Sequence, residues 1–267
     1  MGIDQLSTCM NALLYGRIFT FMTLDIQKAS MWKRISAYLF DGIMLIILAI
    51  GCAVIFAQIF QLDMHSQAFN DYYTAYEEQH GVDFDLTVEE YEALSLEEQK
   101  QLNDLYLAMT QEPKAIELYN TMINLFLLIL TLGILTSYML LEFLVPLILK
   151  NGQTMGKRVF GICLMRTDRI SISPMLLLIR TLLGKFTLET MIPLYIFLMI
   201  FFGSLGLLGT ILLLSMGVLQ IVLLKTSQTN SVIHDLLAKT VVVDMHSQMI
   251  FRTANDLQSY RTRHEVE

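Results

Sequence analysis

The sequence predicts an all-α membrane protein: a four-helix transmembrane bundle with both termini in the cytoplasm, an acidic extracytoplasmic helical insertion and a small cytoplasmic β element. Apolar residues make up 54% of the 267 residues and the mean hydropathy is +0.53, above the roughly 45–50% apolar share of soluble domains. These residues are concentrated in long blocks, and a membrane crossing needs roughly 20 helical residues. Charges of opposite sign separate into different connections, which predicts the orientation.

The apolar blocks define the spans. The first two blocks each hold one crossing, and the third holds two crossings separated by a break near Gly203 and Gly206. Arg180 and Lys185 interrupt the first half of that third block, so this half is either a span with a polar face or a helix lying in the inner membrane surface. With the even number of crossings that the charges require, the predicted spans are residues 35–60, 118–149, 175–202 and 204–225.

The charge distribution predicts the topology. Residues 62–116 hold 13 acidic residues against two lysines, a net charge of −11 in a chain of −7, so the remainder is +4. Lysine and arginine cluster before the first span, after the second and after the last. The positive-inside rule places these clusters in the cytoplasm and the acidic loop outside, in a multi-pass protein of the cell membrane.

The flanking segments are predicted to be cytoplasmic. Residues 1–31 form an N-terminal segment that could fold as a short amphipathic helix on the membrane surface, although Met22 and Met31 are alternative starts. Residues 245–267 form a cytoplasmic tail. The membrane domain proper is expected to cover residues 32–244.

The acidic loop is predicted to be helical. Thr87 with Glu90, and Ser95 with Glu98, have the spacing of capping boxes, in which two side chains satisfy free amides at the start of a helix. Gly81 is expected to mark a break. Two or three acidic helices are therefore expected in residues 62–116.

A patterned turn follows the second span. The segment NGQTMGKRVFGICLMRTDRISISP begins at residue 151, and its Gly152, Gln153, Thr154 and Gly156 are expected to set the geometry of a turn. The residues from 159 to 165 and from 170 to 173 favour strands, as do residues 240–244 on the same predicted side of the membrane. These segments predict the small β element.

A carboxylate in the first span raises the question of its partner. Asp41 follows Arg34 by seven residues, which is about 700° of helix rotation and about 10 Å of rise, so both lie on one face without touching. An aspartate inside a bilayer is expected to face other helices and pair. Arg34, Arg180, Lys157 and Arg158 are the candidate partners. Asp41 is thus either part of a structural ion pair or a proton or cation site.

Two further acids belong to the candidate site. Glu142 lies near the cytoplasmic end of the second span and adds a second carboxylate to the layer of Asp41. Two carboxylates close together in a low dielectric raise the pKa of at least one, which suits proton carriage. Asp235 follows His234 beyond the last span, where it either caps a short helical turn or acts as a functional acid.

Four motifs in order resemble the RDD family of bacterial membrane proteins: Arg34-Ile-Ser-Ala-Tyr-Leu-Phe-Asp41, the GQTMGKRVFGI turn, an Arg180-Thr-Leu-Leu segment and Ile233-His234-Asp235 with its Lys-Thr-Val-Val-Val continuation. The resemblance assigns the arginine and two aspartates of the family name to Arg34, Asp41 and Asp235. The acidic loop is longer than such proteins usually carry, and Lys239 stands where the family often has glycine. The resemblance implies a cell-membrane location and a role in transport.

No nucleophile-base-acid set and no metal-ligand spacing is present in the sequence, so we expect neither an enzyme nor a metal or cofactor. The three cysteines are expected to be unpaired thiols.

Two functions remain. The first is transport of protons or monovalent cations through the charged site, which four spans would need a homodimer to enclose. The second is a non-transporting scaffold whose acidic helices bind a basic extracytoplasmic partner. Besides the lipid bilayer, no feature points to nucleic acid.

Overall fold

The computed structural model of the chain describes residues 26–227 and 231–264. It is mostly helical, and within these ranges four helices are long and apolar enough to cross a membrane: Met31–Ile59, Pro113–Leu149, Pro174–Phe201 and Gly206–Thr226. Few residues of these helices are buried within the isolated chain, as expected of apolar helices whose outer faces meet lipid. The predicted multi-pass arrangement of four apolar helices is confirmed.

The elements, in chain order, are α1 (Met31–Ile59), α2 (Leu62–His80), α3 (Val88–Ala93), α4 (Leu96–Gln111), α5 (Pro113–Tyr138), α6 (Val145–Leu149), α7 (Met155–Val159), β1 (Ile162–Arg166), α8 (Pro174–Ile179), α9 (Ile192–Phe201), α10 (Gly206–Thr226), α11 (Ile233–Leu237), β2 (Thr240–Asp244) and α12 (Ala254–His264). Two π-helical segments, Met139–Leu144 and Arg180–Met191, interrupt the second and third long helices. The chain divides into two units, residues 1–46 with 137–267 and residues 47–136.

In the unit of residues 47–136, the acidic segment forms three helices, α2 to α4. Both predicted capping boxes are present, since the Thr87 side chain accepts from the Glu90 amide and the Ser95 side chain from the Glu98 amide, with both glutamates reaching back. Gly81 ends α2 in a left-handed conformation. Aromatic rings pack between these helices, in a cluster of Phe69, Tyr73, Tyr76, Phe84 and Tyr106.

In the other unit, β1 and β2 form an antiparallel pair with Ile162 opposite Asp244 and Arg166 opposite Thr240. The predicted pairing of residues 240–244 with the turn segment is confirmed, but the predicted first strand starts three residues too early. Residues 155–159 form helix α7 instead, because the Thr154 side chain caps it by accepting from the Lys157 amide. Lys239, at the position where the family often has glycine, has a φ of 50° in the left-handed region that glycine adopts most easily.

The predicted N-terminal amphipathic helix lies mostly outside the described residues. Of that segment, the structure describes residues 26–30. Lys28 bridges Val243 in an antiparallel arrangement, and the Ala29 amide donates to the carbonyl of Val242 at 3.2 Å. These residues therefore extend the β element along the free edge of β2 and are not helical.

The break between the third and fourth long helices lies where the glycines predict it. Helix α9 ends at Phe201 and α10 begins at Gly206. Gly203 and Gly206 both have positive φ, of 73° and 47°. The chain can therefore turn sharply between two apolar helices, which β-carbons at these positions would oppose.

Candidate functional site

The predicted site residues lie in the unit of residues 1–46 and 137–267. The first turns of α1, both π-helical segments, the turn before α7 and helix α11 bring them together. We call the side chains of Arg34, Asp41, Glu142, Lys157, Arg180, Lys185, Glu189, His234 and Asp235 the charged cluster. They form four hydrogen-bonded groups, centred on the carboxylates of Asp235, Asp41, Glu142 and Glu189.

The first group is centred on Asp235, which is 1% exposed. Arg34 donates from Nη2 to Oδ2 at 3.2 Å, and Arg180 donates from Nε and Nη2 to Oδ1 at 3.1 and 2.9 Å. The Thr240 hydroxyl adds a bond to Oδ1 at 3.2 Å. Burial favours the neutral acid, but Arg180, His234 and Arg34 outweigh it and hold the pKa of Asp235 well below its usual value.

Asp235 was expected either to cap a short helical turn or to act as a functional acid. Val232, not Asp235, occupies the N-cap position of α11. The expected capping role is therefore wrong, and Asp235 instead joins α1 to the second π-helical segment through two arginines. Because a buried carboxylate with two guanidinium partners has its lone pairs occupied, it is suited to holding helices together.

The second group corrects the expectation for Asp41. Its Oδ1 accepts from the Gly156 amide at 2.7 Å and its Oδ2 from the Thr154 hydroxyl at 2.5 Å. No Arg or Lys nitrogen of the described residues lies within 4.0 Å of it, so the expected cation partner is absent. A carboxylate at the first turn of α7 is favourable, since the amides there have no partner within the helix. Asp41 therefore links α1 to the turn that precedes α7.

The glycines of the turn permit this contact. A β-carbon on Gly156 would lie 2.4 Å from the carbonyl oxygen of Ala37 and 2.9 Å from the Asp41 carboxylate. Gly152 has a φ of 66°, and a β-carbon there would meet Leu164 at 2.9 Å. Gln153 is buried and donates to the carbonyl of Ile162 at 2.8 Å. The predicted role of these residues in turn geometry agrees with these contacts.

The third group contains Glu142, which is 3% exposed and lies in the first π-helical segment. Lys185, in the second π-helical segment, donates to Oε1. Oε2 is buried and has no hydrogen-bond partner among the described residues. A buried carboxylate oxygen without a donor is costly, so its retention needs an explanation.

His234 and Glu189 form a further pair beside Asp235. The Glu189 carboxylate accepts from the His234 amide at 3.1 Å and lies 2.6 Å from Nδ1 of the ring. Burial and the nearby Arg180 lower the pKa of His234, which favours a neutral ring. A β-carbon on Gly184 would lie 2.5 Å from the His234 β-carbon, so this glycine lets the second π-helical segment approach α11.

The two cations of the turn have different surroundings. Lys157 is 6% exposed, and among the described residues its ammonium donates only to the Thr154 hydroxyl, at 3.3 Å. Burial lowers its pKa to about 8. Arg158 is exposed, and its side chain makes no hydrogen bond or ion pair with the described residues of the charged cluster. Its predicted role as a partner of Asp41 is therefore wrong.

Two cavities open within the charged cluster and share the lining residues Tyr38, Asp41, Lys185 and Glu189. The larger has a volume of about 390 Å³, and its charged lining comprises Arg34, Asp41, Lys157, Arg180, Lys185, Glu189 and Asp235. The smaller has a volume of about 180 Å³, and its polar lining comprises Tyr38, Asp41, Tyr138, Glu142, Lys185, Glu189 and Thr190. Four cations face three carboxylates in the larger cavity, whereas one cation faces three carboxylates in the smaller.

No group of three or more His, Cys, Asp or Glu side chains within residues 26–227 and 231–264 is close enough to hold a metal ion. The three carboxylates of the smaller cavity belong to α1 and to the two π-helical segments. Such an arrangement can take up a proton, or a weakly bound monovalent cation, at one carboxylate.

The family model of the RDD family matches residues 28–239. The chain belongs to the RDD family. The matched range covers most of the chain and contains every residue of the charged cluster, so the resemblance inferred from the four motifs is confirmed. Neither the curated proteins nor the solved structures contain a significant match to this RDD protein.

Proposed function

We propose that this RDD family member is a cell-membrane carrier of protons or monovalent cations, with both termini in the cytoplasm and Glu142 as the exchanging group. The observation that carries the proposal is the buried, unpartnered Oε2 of Glu142 beside the smaller cavity. Ionisable residues within membrane helices are costly and commonly mark ion or proton pathways.

The surroundings of Glu142 favour a positive ligand. Asp41 and Glu189 line the same cavity, and Lys185 is its one cationic lining residue. The resulting negative potential attracts protons and cations. The hydroxyl oxygens of Tyr138 and Thr190, 2.8 Å apart, offer neutral oxygen ligands at the cavity wall.

The other two acids support the fold in this proposal. Asp41 and Asp235 have their oxygens occupied by hydrogen-bond donors. Uptake of a cation at either would require breaking charge-assisted bonds. The sequence left Asp41, Glu142 and Asp235 as candidates for binding the transported ion. We therefore assign that role to Glu142.

Flux in liposomes tests the proposal. The purified protein is reconstituted with an internal pH dye, and Na⁺ or K⁺ is added outside. We expect the dye to respond with the unmodified protein, and the rate of that response to be at least tenfold lower with Glu142→Gln. Arg158→Gln neutralises an exposed charge outside the cluster, so its rate should equal that of the unmodified protein. Equal flux with and without Glu142→Gln would overturn the proposal, as would no flux with the unmodified protein.

The helices α2 to α4 favour a second candidate function. Their acidic side chains are mostly exposed, while capping boxes and an aromatic cluster order the backbone beneath them. An ordered, strongly negative surface is suited to a basic extracytoplasmic partner. If the protein is a scaffold, basic proteins should co-purify with it, and replacing Glu89, Glu92 and Glu97 with glutamine should release them. Co-purification that these replacements leave unchanged would contradict this second function.

A further inference from the structure

Lys157 is a buried cation that makes no direct ion pair with the described residues. It is 6% exposed, and no carboxylate oxygen of the described residues lies within 4.0 Å of its ammonium. The other cations of the larger cavity each have a carboxylate partner: Arg34 and Arg180 share Asp235, and Lys185 has Glu142. Glu142 and Asp41 act on this ammonium only from beyond that distance. A carboxylate in direct contact would therefore stabilise the buried charge further.

The larger cavity is where a counter-ion would fit. Lys157 and Arg180 both line it. Arg180 donates to Asp235 through Nε and Nη2, so its Nη1 makes no hydrogen bond with the described residues. Two cationic donors thus reach the same space. Two converging charged donors are suited to the two oxygens of one carboxylate.

Apart from Gln220 and His234, the remaining wall of the cavity is apolar. It is formed by Ile35, Ile162, Leu224, Val232 and Val242, with the ring of Tyr38. A volume of about 390 Å³ lies within the range of small-molecule sites, which combine an apolar lining with a few convergent polar groups. A bare inorganic anion would make no apolar contact with this wall.

We propose that the larger cavity binds a monovalent organic anion, a carboxylate with an apolar body, whose charge is neutralised by Lys157 and Arg180. The carboxylate accepts hydrogen bonds from the Lys157 ammonium and from Nη1 of Arg180. Its apolar body lies against the wall formed by α1, α10 and β2. The site adds to the proposed cation path and does not depend on it, because Glu142 lines only the smaller cavity.

Equilibrium dialysis of radiolabelled benzoate against the full-length protein in maltoside detergent tests the proposal. We expect saturable binding at pH 7 that benzyl alcohol and benzylamine do not displace. Lys157→Met is expected to weaken binding at least tenfold, and the matched control Arg158→Met, one residue away and exposed, to leave it unchanged. Displacement by hexanoate but not oleate would identify a water-soluble carboxylate, and the reverse a fatty acid from the bilayer.

Folding of the variant is not expected to confound this result. Because Lys157 has no carboxylate partner, its replacement by methionine leaves no unpaired buried charge. The thermal midpoint of Lys157→Met should therefore equal or exceed that of the unmodified protein. No saturable benzoate binding by the unmodified protein, or equal affinity in Lys157→Met, would overturn the proposal.

The pH dependence provides a second readout. Asp41, Glu142, Arg180 and Lys185 are the charged groups around Lys157, and burial lowers its pKa to about 8. Benzoate stays ionised above pH 6, so its binding should weaken as the pH rises through and beyond this value. Constant affinity from pH 7 to pH 10 would contradict a role for the ammonium.

Failure of this proposal and failure of the carrier proposal give different results. Benzoate binding that resists Lys157→Met, with flux still lost in Glu142→Gln, refutes the anion site alone. Benzoate binding that requires Lys157, with flux unaffected by Glu142→Gln, refutes the cation path alone.

Discussion

Three carboxylates of the charged cluster differ in what occupies their oxygens. Asp235 accepts from two arginines, Asp41 accepts from a backbone amide and a hydroxyl, and Glu142 has one oxygen bound to Lys185 and one without a donor. Charge-assisted bonds to every oxygen stabilise a fixed arrangement. The free oxygen of Glu142 instead leaves room for exchange.

Replacing Gly156 with alanine tests the contact between the turn and α1. The added β-carbon would lie 2.4 Å from the Ala37 carbonyl oxygen, so the turn must move away from Asp41. We expect a loss of about 1–3 kcal/mol in stability, measured as a lower thermal midpoint in detergent. Gly51→Ala is the matched control, because a β-carbon there meets nothing within 4 Å, and it should leave the midpoint equal or higher.

Acid should destabilise the protein through His234. Its folded pKa lies below the unfolded value of about 6.5, so the unfolded state binds the proton more readily. The contribution of His234 to stability is then fully present above pH 6.5 and is lost as the pH falls below it. Between pH 8 and pH 5, the thermal midpoint of His234→Gln should drop less steeply than that of the unmodified protein. Parallel pH profiles for the two proteins would show that the ring does not titrate in this way.

The residues of the cluster were only partly predictable. Arg34 and Arg180 were predicted as candidate partners of Asp41, but both pair with Asp235. The partner of Asp41 is mainly a backbone amide, which leaves no mark in residue types, and Gly156 signalled only a turn. Glu142 was predicted as a site acid and Lys185 as an interruption of the third apolar block, but their pairing was not predicted.

At the scale of elements, the π-helical segments explain why those pairings escaped prediction. Both Glu142 and Lys185 lie in such segments, where hydrogen bonds run from i to i+5 and the α-helical spacing of faces no longer applies. The apolar helices, the glycine break and the two capping boxes follow local rules, and all are found as predicted. Helix α7 was missed because a five-residue helix carries too little periodicity to be distinguished from a strand.

The capping box at Ser95 gives a prediction for helix α4. Ser95→Ala removes the acceptor of the Glu98 amide and should cost about 1 kcal/mol. Amide hydrogen exchange is expected to increase at the first turn of α4. Ser66→Ala, within α2, should leave exchange there unchanged or slower. Identical exchange of the α4 amides in both variants would contradict the capping role.

At the scale of the molecule, four apolar helices and the family match make this a multi-pass RDD protein. The orientation is our proposal from the charges, since acidic residues cluster between the first two long helices and basic residues at the other connections. A carrier of four helices would present a thin wall around its site. We therefore propose that two copies of the chain enclose the path.

Cysteine labelling tests the orientation. In a background with the three native cysteines replaced by alanine, Glu97→Cys should react with a membrane-impermeant maleimide in intact cells. Arg169→Cys should react only after permeabilisation. The opposite pattern would place the acidic helices in the cytoplasm and overturn the proposed topology.

The most direct test of the account is binding of radioactive Na⁺ to the purified protein in detergent, with and without Glu142→Gln. The account predicts saturable binding that competes with protons, weakens as the pH falls, and is lost in Glu142→Gln. Because this change leaves the buried Lys185 ammonium without its carboxylate, the thermal midpoint should also fall. Saturable binding that is the same in both proteins would contradict it, because the free oxygen of Glu142 would then have no part in cation uptake.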